Sequence, residues 1–409
     1  MKVILNYALK NGKIISCDKN HTIYESGTIL IENGKIKSII SSDEEIPADF
    51  EIFDATNRVI TPGFIDSHTH QGVFDGSVGR MGYDANEATN PSTPMVRVID
   101  AINIEDPAFE EAIQGGVTTI NTGPGSANVI GGQFAILKTF AKSHVVDDYV
   151  IKAPSALKAA LGENPKRVYG SDKKLPSTRM GIAAVFRKAF LEAQEYGKKW
   201  DDYHQKKELF TQKGELDKIP PEPERNLDKE MLLRVLKREI PIHIHCHQHN
   251  DIVTAVRLAE EFNLRLMIVH ATEGHKIAEF LADKQIQVSV GPSLVGYEKS
   301  ELRDISFKTP SQLFKANVKF AIQSDTFPRL LYFQILPCMA AKYGLPIEEA
   351  LRAVTINAAE VLGIQDQVGS VEPGKDADLV VWTDHPVQNF YAHVLLTMVK
   401  GDVAYKYSE

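Results

Sequence analysis

Five residues carry donor atoms that one cation could share: His68, His70, His245, His270 and Asp325. Each follows or ends a short apolar run. His68 and His70 stand two apart in Asp66-Ser67-His68-Thr69-His70, just after Gly63-Phe64-Ile65. In an extended chain that spacing points both side chains the same way. His245 ends Ile240-Pro241-Ile242-His243-Ile244, and His270 ends Leu266-Met267-Ile268-Val269. Asp325 follows Phe320-Ala321-Ile322-Gln323-Ser324. Imidazole nitrogens and a carboxylate are donors suited to zinc and its neighbours. The set predicts a divalent metal, zinc first among the candidates, as one ion or two.

The segment His243 to His249 holds four histidines. His243, His245 and His247 share one face of a strand. His243 reads as a hydrogen-bonded core residue one layer deeper, and His247 as a residue one layer further out, touching substrate or a second ion. His249 reads as a cap of the next helix or a solvent-facing residue, and Cys246 as core. The run Gly123 to Gln133 is rich in glycine, but no Gly-Lys-Ser/Thr follows, so it is no phosphate-binding P-loop. It reads as a loop shaping a pocket. Lys166, Arg167 and Tyr169 are candidates to meet an anionic substrate group.

These residues need elements to hold them. Between about 59 and 365 apolar strands alternate with amphipathic helices, the pattern of parallel strands with helical crossovers. Asp106-Pro107 opens one helix and Gly115-Gly116 ends it. Asn250-Asp251 caps another, with Ile252, Val256, Ala259 and Phe262 on one face. The fold class expected is an α/β (β/α)8 TIM barrel, whose strand ends converge at one mouth. Residues 177–225 interrupt the rhythm as a helical insertion. It is either a cover for the mouth or a charged peripheral helix pair. Residues 1–58 and 366–409 are strand-rich, and they predict a small composite β-sandwich built from both termini. Within it, Asn11-Gly12 and Asn33-Gly34 each signal a tight turn between strands.

The chain has 409 residues and a formal net charge of −8, with hydrophobic residues at 43% and charged residues at 24%. The length fits a large barrel plus a smaller domain. With no basic stripe, the charge argues against nucleic acid. Three scattered cysteines, Cys17, Cys246 and Cys338, make no disulfide framework. No run nears the roughly 18 apolar residues of a membrane span. The expectation is a cytoplasmic protein with a small-molecule substrate and no membrane partner, with a homo-oligomer left open.

Val59-Ile60-Thr61-Pro62-Gly63-Phe64-Ile65-Asp66-Ser67-His68-Thr69-His70 resembles the opening signature of the amidohydrolase superfamily. The likeness runs to Gly369-Ser370-Val371-Glu372-Pro373-Gly374-Lys375-Asp376-Ala377-Asp378-Leu379-Val380-Val381, and the branch is similar to imidazolonepropionase. The resemblance implies His68 and His70 as first-strand ligands, His245 and His270 as fifth- and sixth-strand ligands, and Asp325 as both ligand and proton acceptor. Members also use a carboxylated lysine or a glutamate to bridge two ions. Glu163 is the candidate here, placed like the glutamate ligand of N-acetylglucosamine-6-phosphate deacetylases. Lys152 is the alternative, and no lysine stands out at a fourth-strand end.

The chemistry expected is hydrolysis of a carbon–nitrogen bond in an amide or cyclic amide. A bound divalent ion polarises the carbonyl and makes water acidic near neutral pH. Asp325 moves the proton, and His247 or His275 hydrogen-bonds the developing oxyanion. The alternatives are a deaminase of an aminated heterocycle, a dipeptidase or deacetylase, and a barrel kept for binding without catalysis.

Overall fold

In the computed structural model, residues 6–326 and 328–408 are described. The first strands are β1 (Asn6–Ile15), β2 (Ile23–Glu32), β3 (Lys35–Ser41), β4 (Phe50–Asp54) and β5 (Val59–Pro62). The barrel strands are β6 (Phe64–Thr69), β7 (Val117–Thr122), β8 (Ile130–Lys138), β9 (Val150–Ala160), β10 (Ile242–Cys246), β11 (Leu266–His270), β12 (Gln287–Val290) and β13 (Phe320–Ile322). The chain ends with β14 (Leu379–Trp382), β15 (Val394–Val399) and β16 (Asp402–Lys406).

Strands from both ends pair into one mixed sheet in the order β16-β15-β14-β5-β1-β2-β3, with β4 also on β1. Leu9, Ile29, Ile60, Leu379 and Met398 bury their side chains in a shared core on it. Asn33-Gly34 forms the two-residue turn between β2 and β3, both residues having positive φ as a type I′ turn requires. Asn11-Gly12 does not turn the chain. It is a bulge inside β1, where the register to β2 shifts.

The second sheet runs β6 to β13 in sequence order and is nearly closed. Closure is made by an isolated bridge between Thr69 and Asp325. Seven of its strands are parallel, but β8 is antiparallel to both β7 and β9. The strict alternation of strand and helix expected from the sequence fails there. No helix lies between β7 and β8, and much of the glycine-rich run, from Ile130 onward, is strand rather than loop.

The helices are α1 (Pro107–Gln114), α2 (Glu163–Gly170), α3 (Arg179–Lys213), α4 (Leu227–Leu236), α5 (His249–Glu261), α6 (Ala278–Asp283), α7 (Thr309–Lys315), α8 (Ile335–Lys342), α9 (Ile347–Arg352) and α10 (Ile356–Leu362). Asp106 caps α1 through the Ala108 amide. The cap expected at Asn250-Asp251 lies inside the first turn of α5 instead. The insertion is α3 with α4. Phe186 and Phe190 of α3 stack on Phe262 beside α5, which seats the pair against the barrel wall.

The two sheets meet through a buried ion cluster. The Lys138 ammonium, at the far end of β8, lies 2.9 Å from Asp376 and 2.6 Å from Asp378. All three side chains are less than a tenth exposed. Removing one partner of such a cluster strands the others' charge. Lys138→Met is therefore expected to lower the unfolding free energy by about 3–5 kcal/mol. Urea denaturation followed by circular dichroism measures it, and a loss under about 1 kcal/mol would contradict this role.

Candidate functional site

The ends of β6, β10 and β11 and the segment after β13 converge at the barrel mouth. Backbone bonds fix them. The Asp325 amide donates to the His68 carbonyl, and the His70 amide donates to the Asp325 carbonyl, each at 3.0 Å. Asp66 adds a staple, since its carboxylate accepts from the Ser324 amide and hydroxyl and from the His68 amide.

Two imidazoles are aimed by carbonyl oxygens. His70 Nδ1 donates to the Gly123 carbonyl and His270 Nδ1 to the Gly291 carbonyl, each at 2.7 Å. A carbonyl can only accept, so Nδ1 carries a proton in each ring and Nε2 is left facing the site. Both carbonyls belong to positions that demand glycine. A Cβ at Gly123 would lie 2.3 Å from the Phe134 ring, and one at Gly291, where φ is 126°, would lie 2.6 Å from the Gln323 carbonyl oxygen.

The decisive geometry follows. Asp325 Oδ1 lies 3.1 Å from His70 Nε2 and 3.6 Å from His68 Nε2. The carboxylate and the two imidazoles thus turn their polar atoms toward one point. Burial would raise the Asp325 pKa, but the hydrogen bond from His70 and the nearby Lys158 ammonium hold it well below the usual carboxylate range. Burial pushes His68, His245 and His247 well below the ordinary histidine value and His270 down to about 4. All four are thus neutral nitrogen donors at pH 7. Buried nitrogens without a hydrogen-bond partner gather here: His68 Nδ1 and both nitrogens of His245. Such atoms are rare in folded proteins. Two overlapping groups have donor atoms within 4.8 Å of one another, His68 with His270 and Asp325, and His245 with His247 and His270. The residues fit a divalent ion.

The model of the Amidohydrolase family matches residues 59–404. The chain belongs to the amidohydrolase family. Amidohydrolase tasK of Hapsidospora irregularis is 32% identical over 382 residues, 88% of this chain, which spans only 38% of that protein's length. The imidazolonepropionase of Clostridium tetani is 24% identical and aligns over 98% of this chain and 99% of its own. The crystal structure of an amidohydrolase from Thermotoga maritima superposes with a TM-score of 0.89 at 40% identity, covering 98% of this chain and all of that one.

Of the other residues expected at this amidohydrolase site, Glu163 and His247 line the same cavity, while Lys152, Tyr169 and His275 do not. Glu163 starts α2, and its carboxylate accepts from the Ser300 hydroxyl at 3.0 Å, so it lines the cavity without joining the donors. His275 sits on a short 3-10 turn with Nδ1 3.2 Å from the Thr309 hydroxyl, away from the mouth. The Tyr169 hydroxyl is buried on Asn128 and cannot meet substrate. Lys152 lies near the start of β9, at the opposite end from the mouth. His243 is buried as expected, but its Nδ1 has no partner. His249 is the first residue of α5 and is tied to Glu273. His247 Nε2 accepts from the Lys299 ammonium at 3.2 Å, so it has no proton there to offer an oxyanion.

The remaining candidate, Arg167, lines a cavity of about 660 Å³ together with His245, His247, His270, Lys299 and Asp325. No residue of 177–225 lines it among the described residues.

Sequence reasoning missed three site residues. Lys158 stands two residues before the end of β9, the fourth barrel strand, fully buried with Nζ 3.1 Å from His68 Nε2. Burial, moderated by the Asp325 charge, brings its pKa down to about 7. Glu301 and Lys299 come from the irregular segment after β12, with Nζ 2.8 Å from Oε1. The strand Val-Ile-Lys-Ala-Pro-Ser-Ala-Leu-Lys-Ala-Ala hid Lys158 behind residues of weak strand preference.

His270→Ala is expected to lower zinc affinity at least tenfold, whereas His275→Ala leaves it within about twofold. Competition with a chromophoric chelator measures both. Equal losses from the two variants would contradict this assignment.

Proposed function

We propose that this protein is a metal-dependent hydrolase of a non-peptide carbon–nitrogen bond in an amide or cyclic amide. Membership of the amidohydrolase family supports hydrolysis at a carbon–nitrogen bond. The observation that supports metal dependence is the gathering of donor atoms within 4.8 Å of one another, His68 with His270 and Asp325, and His245 with His247 and His270. His68, His70, His245, His270 and Asp325 would hold the ion, with zinc the natural choice for this donor set. When bound, the ion supplies Lewis acidity and a water acidic near neutral pH.

The chain's own residues do the rest. Asp325 accepts a proton at Oδ1 and delivers it to the leaving nitrogen. Lys158, buried against His68 near the end of the fourth strand, is placed to carry the bridging carboxylate that Glu163 does not supply. Its amine nitrogen would bond to the carbon of CO2 and release a proton, leaving a carbamate. On the cavity wall, the Arg167 side chain makes no ion pair among the described residues, which suits an acidic substituent on the substrate. No helix among the described residues is long and apolar enough to cross a membrane.

A screen of amides, cyclic amides and aminated heterocycles with zinc-loaded protein tests the reaction. A new carboxylate without ammonia is expected. Ammonia release from an aminated ring would replace this reading with deamination. Asp325→Asn should keep most of the zinc and lose turnover by about 10²–10⁴-fold, and a near-normal rate would remove Asp325 from proton transfer. Protein equilibrated with 13C-bicarbonate should show a carbamate carbon resonance that Lys158→Met abolishes. A spectrum unchanged by that substitution would exclude Lys158.

A further inference from the structure

Three acceptors beside the donor cluster point at one spot, and each is aimed there because its other end is taken. Glu301 Oε2 accepts from the Glu163 amide at 3.0 Å, which leaves Oε1 facing inward. His247 Nδ1 meets the Thr272 hydroxyl at 2.7 Å, and the ammonium at Nε2, which can only donate, makes Nε2 the acceptor. The Asn164 amide nitrogen donates to the Ser126 hydroxyl at 2.7 Å, which turns its oxygen the same way. At the focus is the Lys299 ammonium, 2.8 Å from Glu301 Oε1, 3.2 Å from His247 Nε2 and 3.3 Å from Asn164 Oδ1.

Three parts of the chain supply these groups: the end of β10, the first turn of α2, and two points of the segment after β12. The Glu301 side chain is 1% exposed and that of His247 4%, so this is an interior cradle and not a surface pair. Its free edge adjoins the donor cluster, since Glu301 Oε1 also lies 3.8 Å from the unpartnered Nε2 of His245. One carboxylate oxygen, one or two imidazole nitrogens and an amide oxygen form a mixed nitrogen–oxygen set that suits a first-row divalent ion. An ammonium already among them excludes such an ion by space and by charge.

We propose that Lys299 is a built-in cation filling a latent metal site made by Glu301, His247 and Asn164. It withholds His247 from the ion that His68, His70, His245, His270 and Asp325 are proposed to hold. The inference rests on the proposed metal centre only for its neighbour. The zinc content of the unaltered protein tests that centre, and the change on removing Lys299 tests this one.

The experiment measures zinc per folded chain by mass spectrometry after saturation and gel filtration. It compares the unaltered protein with Lys299→Met, Lys299→Arg and the double variant Lys299→Met/Glu301→Gln. Lys299→Met is expected to bind one zinc more per chain, Lys299→Arg no more than the unaltered protein, and the double variant to lose the gain. No gain in Lys299→Met, or a gain that survives Glu301→Gln, overturns the proposal. Should Lys299→Met not fold, Lys299→Gln also removes the charge and carries the same two outcomes.

Discussion

Barrel closure and the donor cluster are one structural event. The last strand is joined to the first not by a long ladder but by the backbone of Asp325, which pairs with the segment from His68 to His70. That pairing holds the Asp325 carboxylate next to the two imidazoles. Asp325 adopts φ 61°, and His270 and Ala271 adopt 77° and 47°. Non-glycine residues in that region cost about 1–3 kcal/mol each and persist where the surroundings over-determine them. Here the surroundings are the closing bonds and the Asp66 staple. The distance between carboxylate and imidazole is thereby set by main chain rather than by side-chain choice.

Electrostatics at the mouth follows from depth. Desolvation alone would neutralise every ionisable group there, and it does so for His68, His245, His247 and His270. Asp325 and Glu301 escape because hydrogen bonds and the ammonium groups of Lys158 and Lys299 outweigh the burial of their charge. The result is neutral nitrogens beside ionised oxygens, the protonation pattern a divalent ion needs and that free side chains in water would reach only above the histidine pKa. The amidohydrolase centre is thus prepared by the fold, with glycine carbonyls holding His70 and His270 in the required tautomer.

Much of this was legible in the sequence, and what was not has physical reasons. His245, His270 and Asp325 follow apolar runs that the interior of a parallel barrel requires, so strand ends could be placed from hydrophobicity alone. His68 and His70 were marked by their spacing. Lys158 was not, because β9 is built of alanine, serine, proline and lysine and takes its strand form from its neighbours on either side. Lys299 and Glu301 lie in an irregular segment with no period to read, and their partners are more than fifty residues away. Tyr169 and His275 misled because a residue type capable of chemistry says nothing of which neighbour occupies its polar atom. The antiparallel β8 was missed because glycines read as loop, while in the barrel they let Phe134 and the backbone approach closely.

The reversed course of β8 has a further consequence. Its first residues stand at the open end, beside Ala159 and Lys158, and its last, Lys138, reaches the closed end and the carboxylates of Asp376 and Asp378. A single extended segment therefore spans from the donor cluster to the sheet formed by the chain's two ends. Trimming those ends to make a smaller enzyme would bare an ammonium at the foot of the same strand whose top supports the chemistry. In this protein the barrel and its terminal sheet must be inherited, or engineered, together.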